Sequence, residues 1–384
     1  MKRRKRKRIL NARILQYLSV KECTSQVHLV SKFMRRCVVS RLLEEGGKRL
    51  RPGLLTWNRV SEIKNALDPE SDVDEAWRVH RIYERLDRDE NLFMKRYKAH
   101  IITSSSSSVP VSLQVPSVFN ATKLVRKWKG YDVWTGRKVE EEVLKRRFRC
   151  GETEDGEEVL ISMRHMFEYC LCCRDDTPVY IFDRDFASRY ESMLSEYDSK
   201  VIPNVLGIKT NLLDLHDQEK CPPRRWFLVG PKGSGTDVHT DPRGTCAWNA
   251  LLRGKKVWVL LDPSFSKDQV GEGSNAYDLP SSRWFMGNHL SELIEKYPDK
   301  VFIILQQEGD VVFVPPNYYH AVWNLDSLNV AVTENMITES SFRNDCYDKS
   351  DDEKLCEFVE DYYGLLDAKQ TREWLDRVLP LLKK

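Results

Sequence analysis

The order of apolar runs in this sequence predicts a mainly β fold, a jelly-roll-like double sheet with flanking helices and an N-terminal helical module. Three observations carry the reading. Six short runs rich in β-branched and aromatic residues crowd the later half of the chain: RWFLVG, KVWVLL, KVFIIL, DVVFVP, AVWNL and LNVAVTEN. Runs of that length and composition read as strands. Turn signals separate them, including Pro231-Lys-Gly-Ser-Gly and Glu308-Gly309-Asp310, whose glycines and proline punctuate regular structure. Few helical stretches lie between the runs, which favours a double sheet over alternating strand–helix units.

The composition sets the frame for these elements. The 384 residues, 41% hydrophobic and 31% charged, suit a globular protein of two domains or of one large domain with an appendage. Ten tryptophans and fifteen tyrosines supply large side chains for a core. No run of 18 apolar residues occurs, so no membrane span and no membrane partner are expected. No apolar stretch follows the N-terminal charges, so they do not read as a secretory signal. The ten cysteines lack paired C-x-x-C zinc spacing and read as reduced thiols of a cytosolic or nuclear protein. A metal role for the crowded Cys170, Cys172 and Cys173 stays open as the alternative.

In chain order, residues 1–8 form a basic tail. Lys2 to Arg8 is seven consecutive cations in a chain of net charge +3, and it reads as a nuclear localisation signal or a nucleic-acid arm. A merely solvated tail is the plain alternative. The expected location is nuclear, with the cytoplasm as a second compartment. In residues 9–45, Ile14, Leu15, Leu18, Val27, Leu29, Val30 and Phe33 recur at helical spacing. The text ILQYLSVKECTSQVHLVSKFMRRCV resembles an F-box without its usual opening Leu-Pro. That resemblance implies a Skp-type adaptor as partner; an amphipathic helical pair packed on the main domain is the alternative. Residues 46–109 read as a charged helical and linker region that includes the five serines Ser104 to Ser108. After them PVSLQVPSVFNATK alternates like a strand. Residues 110–338 read as one catalytic domain, interrupted at 262–300 by a long loop with a helix near 289–296. Residues 339–384 read as helices carrying Phe358, Tyr362, Leu365, Leu366, Trp374, Val378 and Leu381 on apolar faces, a surface through which a homodimer could form.

The chemistry-bearing pattern begins at His239-Thr240-Asp241. In extended chain, residues i and i+2 face the same side, so His239 and Asp241 can reach one metal while Thr240 points away. The natural third ligand is His320, at the start of the strand that follows GDVVFVPPNYY. Two histidines and a carboxylate form the facial triad of non-haem iron sites, which leaves metal positions open for other ligands. Taken alone, an H-x-D pair or a single histidine is a common surface accident. His216 and His289 read as surface or loop residues.

The surroundings sharpen the pattern. RWFLVGPKGSGTDVHTDPRGTCAWNALLRGKKVW and GDVVFVPPNYYHAVWNLDSLNVAVTEN resemble the two metal-site segments of the jumonji-C family, and within it the jumonji domain-containing protein 6 group. RRFRCGETEDGEEVLISMRHMFEY and DDTPVYIFD extend the resemblance to roughly residues 110–340, while the first hundred residues do not share it. The resemblance implies a cupin-like double-stranded β-helix that binds Fe(II) through His239, Asp241 and His320 and uses 2-oxoglutarate and O2. It implies that Lys256 pairs with the distal carboxylate of 2-oxoglutarate. Alternation along KVWVLL puts Lys256 on one face with Trp258 and Leu260, and Lys255 on the other. Thr333 and Tyr180 match hydroxyl partners of that carboxylate. Asn249 and Asn335 match asparagines near the metal and the co-substrate, and Thr236 lies in the turn before the first ligand. Each also has a plain reading: a core tyrosine, a structural amide, an ordinary strand threonine, a snorkelling lysine. One residue more than the family pattern separates His320 from Thr333, which leaves the co-substrate alignment open there.

The expected substrate is a protein with lysine or arginine side chains, histones and RNA-processing proteins included, and the favoured reaction is lysyl hydroxylation. N-methyl demethylation is the alternative. A substrate receptor of a ubiquitin ligase, using the β domain only to bind, is the reading from another class.

Overall fold

The computed structural model describes residues 88–382, apart from 107–115, 153–157, 174–177, 198–199, 216–222, 272–280 and 347–367. The basic tail, the F-box-like segment and most of residues 46–109 lie outside the described residues. So do His216, Phe358, Tyr362, Leu365 and Leu366.

Eight strands carry the fold: β6 (Arg225–Gly230), β7 (Gly235–His239), β8 (Cys246–Arg253), β9 (Lys255–Leu261), β10 (Val301–Gln307), β11 (Asp310–Val314), β12 (Tyr319–Asn324) and β13 (Asn329–Met336). They divide between two sheets. One runs β1-β10-β9-β12-β7, where β1 is Ile101–Ile102; the other runs β2-β11-β8-β13-β6-β5, where β2 is Ser117–Asn120 and β5 is Ile181–Asp183. The eight strands pair antiparallel within their sheets, and from β6 to β9 the chain changes sheet at every turn. This is the double-stranded β-helix that the strand pattern and the resemblance predict. A separate hairpin joins β3 (Arg147–Glu152) to β4 (Glu158–Ser162).

Alternation along the strands sorts side chains into three layers. Ala247, Trp258, Leu260, Ile304, Val312, Val314 and Val322 meet between the sheets. Trp248, Ala250, Val330 and Val332 point out of the six-stranded sheet and are covered by Trp128, Tyr131, Trp134 and Phe167, the last on α1 (Met163–Cys172). Val257, Val259, Ala321 and Trp323 point out of the five-stranded sheet and are covered by Phe93, Trp284, Phe285 and Leu290. Phe93 belongs to a helix over 88–96, and its ring packs edge to face on that of Trp323, the centroids 6.1 Å apart. Glu90 on the same helix forms an ion pair with Lys232 in the turn after β6.

Two segments depart from the sequence reading. The strand β8 was not among the six runs, because CAWNALLR has the alanine and leucine content of a helix; burial on both faces and pairing with β11 and β13 decide its form. Residues 262–300 are more than a loop with one helix. They include Lys267–Val270, Ser281–Phe285 and α2 (Asn288–Lys296), and Trp284, Phe285 and Leu290 are buried. His289 therefore sits on a helix, its ring 5.0 Å from that of Trp284. At the C-terminus, α3 (Glu339–Cys346) and α4 (Ala368–Leu382) bring Phe342, Trp374 and Val378 against Leu212, Leu213 and Ile337. Cys150, Cys170, Cys173 and Cys246 are buried. No helix among the described residues is long and apolar enough to cross a membrane.

Candidate active site

The mouth of the double sheet encloses a cavity of about 310 Å³. Its lining contains all nine residues singled out in the sequence: Tyr180, Thr236, His239, Asp241, Asn249, Lys256, His320, Thr333 and Asn335.

His239 ends β7, and Asp241 follows in extended chain before the turn Pro242–Gly244. His320 is the second residue of β12 and pairs directly with His239 across the strands. Strict alternation would send Thr236 and His239 to opposite faces. Between His320 and Val322 the pairing slips, so that β7 has one residue more than β12. This β-bulge re-aims the strand and lets both side chains enter the cavity. The close approach of β7 to β12 also depends on Gly235, where a Cβ would stand 1.9 Å from the Val322 carbonyl oxygen.

One ligand atom from each of His239, Asp241 and His320 lies within 4.8 Å of the others. The His239 Nδ1 donates to the Asp237 carbonyl at 2.8 Å, and the His320 Nδ1 donates to the Tyr318 carbonyl at 3.2 Å. Each imidazole is thereby held with Nε2 as its free acceptor, the form a metal needs. Burial, and secondarily the neighbouring His239, pushes His320 down to about 4, so it is neutral at physiological pH. The Asp241 Oδ2 is buried with no hydrogen-bond partner. A buried carboxylate oxygen without a partner is costly, and a divalent cation between the three residues would satisfy it.

Lys256 stands deeper in the same cavity, only 4% exposed. No carboxylate among the described residues faces it, and burial alone pushes its amine down to about 7. Alternation holds along β9: Trp258 and Leu260 share its side, while Val257 and Val259 pack outside. Thr333 lies opposite Asn249 across β13 and β8, and its hydroxyl donates to the Trp248 carbonyl at 2.8 Å. Pairing of β13 with β6 is regular from Asn329 to Glu334, while its register with β8 shifts between Val330 and Ala331. Asn335 donates to Thr245 Oγ1 at 2.9 Å. Tyr180, just ahead of β5, has its hydroxyl pushed up to about 12, first by burial and then by Asp237, and so stays a donor at neutral pH.

Several residues in or behind the cavity wall escape the sequence reading. Gln306 is fully buried. Its Oε1 accepts from Trp258 Nε1 at 2.7 Å, and its Nε2 donates to the Asn249 carbonyl at 2.9 Å and the Asp310 carbonyl at 3.1 Å. Asn324 lines the cavity, and Ser234 stands behind it, accepting from its Nδ2 at 2.8 Å. Their signal was the alternation of HAVWN, which places His320, Val322 and Asn324 on one face. Phe182 and Trp226 stack at 6.0 Å on the outer wall.

Comparison with known proteins agrees with this geometry. Residues 226–336 match the family model described as "JmjC domain, hydroxylase". Over 219 residues the chain is 36% identical to the bifunctional arginine demethylase and lysyl-hydroxylase psr-1 of Caenorhabditis briggsae, covering 56% of this chain and 54% of that protein. The Caenorhabditis elegans protein of the same name is 34% identical over the same shares. The arginine-specific demethylase JMJ22 of Arabidopsis thaliana is 29% identical over 221 residues, 56% of this chain and 41% of that protein. The chain spans about half the length, or less, of these relatives. The strands from β6 to β13, with the His239–Asp241–His320 cluster at their mouth, are the part of the chain that matches the JmjC domain.

Proposed function

We propose that this protein is an Fe(II)- and 2-oxoglutarate-dependent oxygenase of protein side chains, with lysyl hydroxylation as its favoured reaction. The observation that carries the proposal is the meeting, in one cavity, of a metal-competent triad with a buried lysine that has no counter-charge. The donor set of two imidazole nitrogens and one carboxylate oxygen fits Fe(II) with positions left open, and the unsatisfied Asp241 oxygen fits a cation. Iron loaded with 2-oxoglutarate and O2 supplies the oxidising power to replace a C–H hydrogen by hydroxyl, with succinate and CO2 as co-products.

The chain's own residues bind, orient and shield. His239, Asp241 and His320 would hold the metal. Lys256 offers the cation that an acid such as 2-oxoglutarate needs at its far end, and Tyr180 a protonated hydroxyl beside it. Thr333 reaches the same acid by turning its hydroxyl away from Trp248. Trp258, Val314 and Val322 give the cavity an apolar wall that limits water.

Protein lysine as the substrate rests on the psr-1 relatives, whose names pair lysyl hydroxylation with arginine demethylation. Those names make demethylation of arginine the second reading. Incubating the iron-loaded protein with lysine-rich and methylarginine-containing peptides separates the two. Hydroxylation adds one oxygen to the peptide mass, while demethylation removes a methylene and releases formaldehyde. Succinate formation without either change would remove both substrates.

For the segments outside the described residues we propose nuclear targeting, or nucleic-acid contact, through Lys2–Arg8 and binding of a Skp-type adaptor through residues 9–45. Capture of such an adaptor by the wild-type chain, weakened by Leu18→Asp and Leu29→Asp, is the expected result. No capture by the wild type would leave only the helical-packing reading.

A further inference from the structure

A row of polar residues crosses three neighbouring strands at the cavity, two of them, Lys256 and Asn324, in its lining. Lys256 on β9 lies opposite Gln306 on β10 and opposite Asn324 on β12. Directly opposed residues have Cβ atoms about 4.5–5.5 Å apart, so both amides are within reach of the lysine stem.

The two amides differ in what remains free. Gln306 is committed at both ends of its side chain. Asn324 is clamped by its backbone, whose N–H donates to the Ser234 carbonyl at 2.8 Å and whose carbonyl accepts from the Gly233 N–H at 2.9 Å. Its side-chain Nδ2 donates to Ser234 Oγ at 2.8 Å, and that hydroxyl has given its one hydrogen to the Pro231 carbonyl at 2.6 Å. Ser234 can therefore only accept, which fixes the amide with its oxygen turned away. That oxygen, Asn324 Oδ1, is buried with no partner, on a residue only 5% exposed. An orphaned acceptor and a buried ammonium without a counter-charge stand side by side on the same inner face. Each costs free energy while unmatched.

We propose that Asn324 is a positioning residue for Lys256. Its side-chain carbonyl accepts one hydrogen bond from the ammonium and aims the other two N–H donors at the carboxylate of the acid bound in the cavity. Rotation about the outer bonds of the Lys256 stem brings donor and acceptor together without moving the backbone. The inference rests on the co-substrate reading only for the identity of that acid. Tyr180, His239, Asp241 and His320 are the titratable groups lining the same cavity. The strands on either side of β9 present neutral amides to Lys256, and burial is what depresses its amine, so an accepting carbonyl has a clear effect to exert.

The test is competitive labelling of the full chain with acetic anhydride between pH 5 and pH 10, read at Lys256 by peptide mass spectrometry. The labelling midpoint reports the amine directly and needs neither turnover nor iron. Asn324→Leu removes the acceptor and should lower the midpoint by about one pH unit, the equivalent of one lost charge-assisted contact. Asn324→Asp, close to asparagine in size, places a negative charge at the same point and should raise it. The aspartate variant decides the matter alone if leucine is not accommodated. In the wild type 2-oxoglutarate should protect Lys256 from labelling, and failure of protection would count against the co-substrate reading while the midpoints still judge Asn324. Midpoints in both variants equal to the wild-type value would overturn the proposal.

Discussion

Replacing Lys256 with methionine should make the empty protein more stable and deprive it of its co-substrate. The amine titrates at 10.5 in an unfolded chain and at about 7 in the fold. Between those values the unfolded chain binds more protons, so stability rises with pH across that window, and below pH 7 the whole penalty is present. At 1.36 kcal/mol per pH unit, holding the charge in the empty cavity costs on the order of 5 kcal/mol. Methionine fills a similar volume with a flexible, uncharged chain. At pH 6.5, Lys256→Met should therefore raise the unfolding temperature by roughly 5 °C or more. At pH 9 the penalty shrinks to about 2 kcal/mol, and the gain shrinks with it. The assay is thermal unfolding of the Mn(II)-loaded protein with and without 2-oxoglutarate. At a hundred times its dissociation constant the acid should stabilise the wild type by about 2.7 kcal/mol and the variant hardly at all. Lys255→Met, on the opposite face, should change neither property. A Lys256→Met protein that is less stable when empty, and still gains fully from 2-oxoglutarate, would refute the reasoning.

Three further outcomes follow from the same geometry. His239→Ala and Asp241→Ala should abolish iron-dependent succinate formation while leaving the unfolding temperature within a few degrees of wild type; undiminished succinate in either variant removes that residue from the site. The apparent affinity for 2-oxoglutarate should fall roughly tenfold between pH 6 and pH 8, because about one Lys256 in ten stays charged at pH 8 when the amine titrates near 7; calorimetric affinities that are flat over that range contradict the assignment. Gly235→Ala would drive a Cβ to 1.9 Å from a backbone carbonyl and should cost about 3 kcal/mol or more, read as a lowered denaturation midpoint; wild-type stability would mean that β7 does not approach β12 this closely.

Much of this was legible in the sequence because two-residue periodicity is a strong signal when one face of a strand is apolar. KVWVLL and NVAVTEN show which side of each strand Lys256, Thr333 and Asn335 occupy. The H-x-D pair needs only extended chain, so its reading survived even though Asp241 lies beyond the end of β7. Other features were out of reach. CAWNALLR has no alternation because both its faces are buried, and propensity alone points to a helix. The bulge that turns Thr236 and His239 the same way exists only in the pairing of β7 with β12. Gln306 and Asn324 look like ordinary polar strand residues until the register sets them on either side of Lys256.

The helix over 88–96 bears on where the chain can be cut. The serine-rich stretch around residue 106 invites a truncation that would start the catalytic body near residue 110. Such a cut would remove Phe93 from the back of Trp323, three residues from His320, and Glu90 from Lys232, four residues before Thr236. It would also take β1 from the edge of β10. The outer side of the metal-bearing strand would then lose part of its cover, with Phe285 left as the remaining ring against Trp323. A fragment beginning near residue 88 keeps that wall.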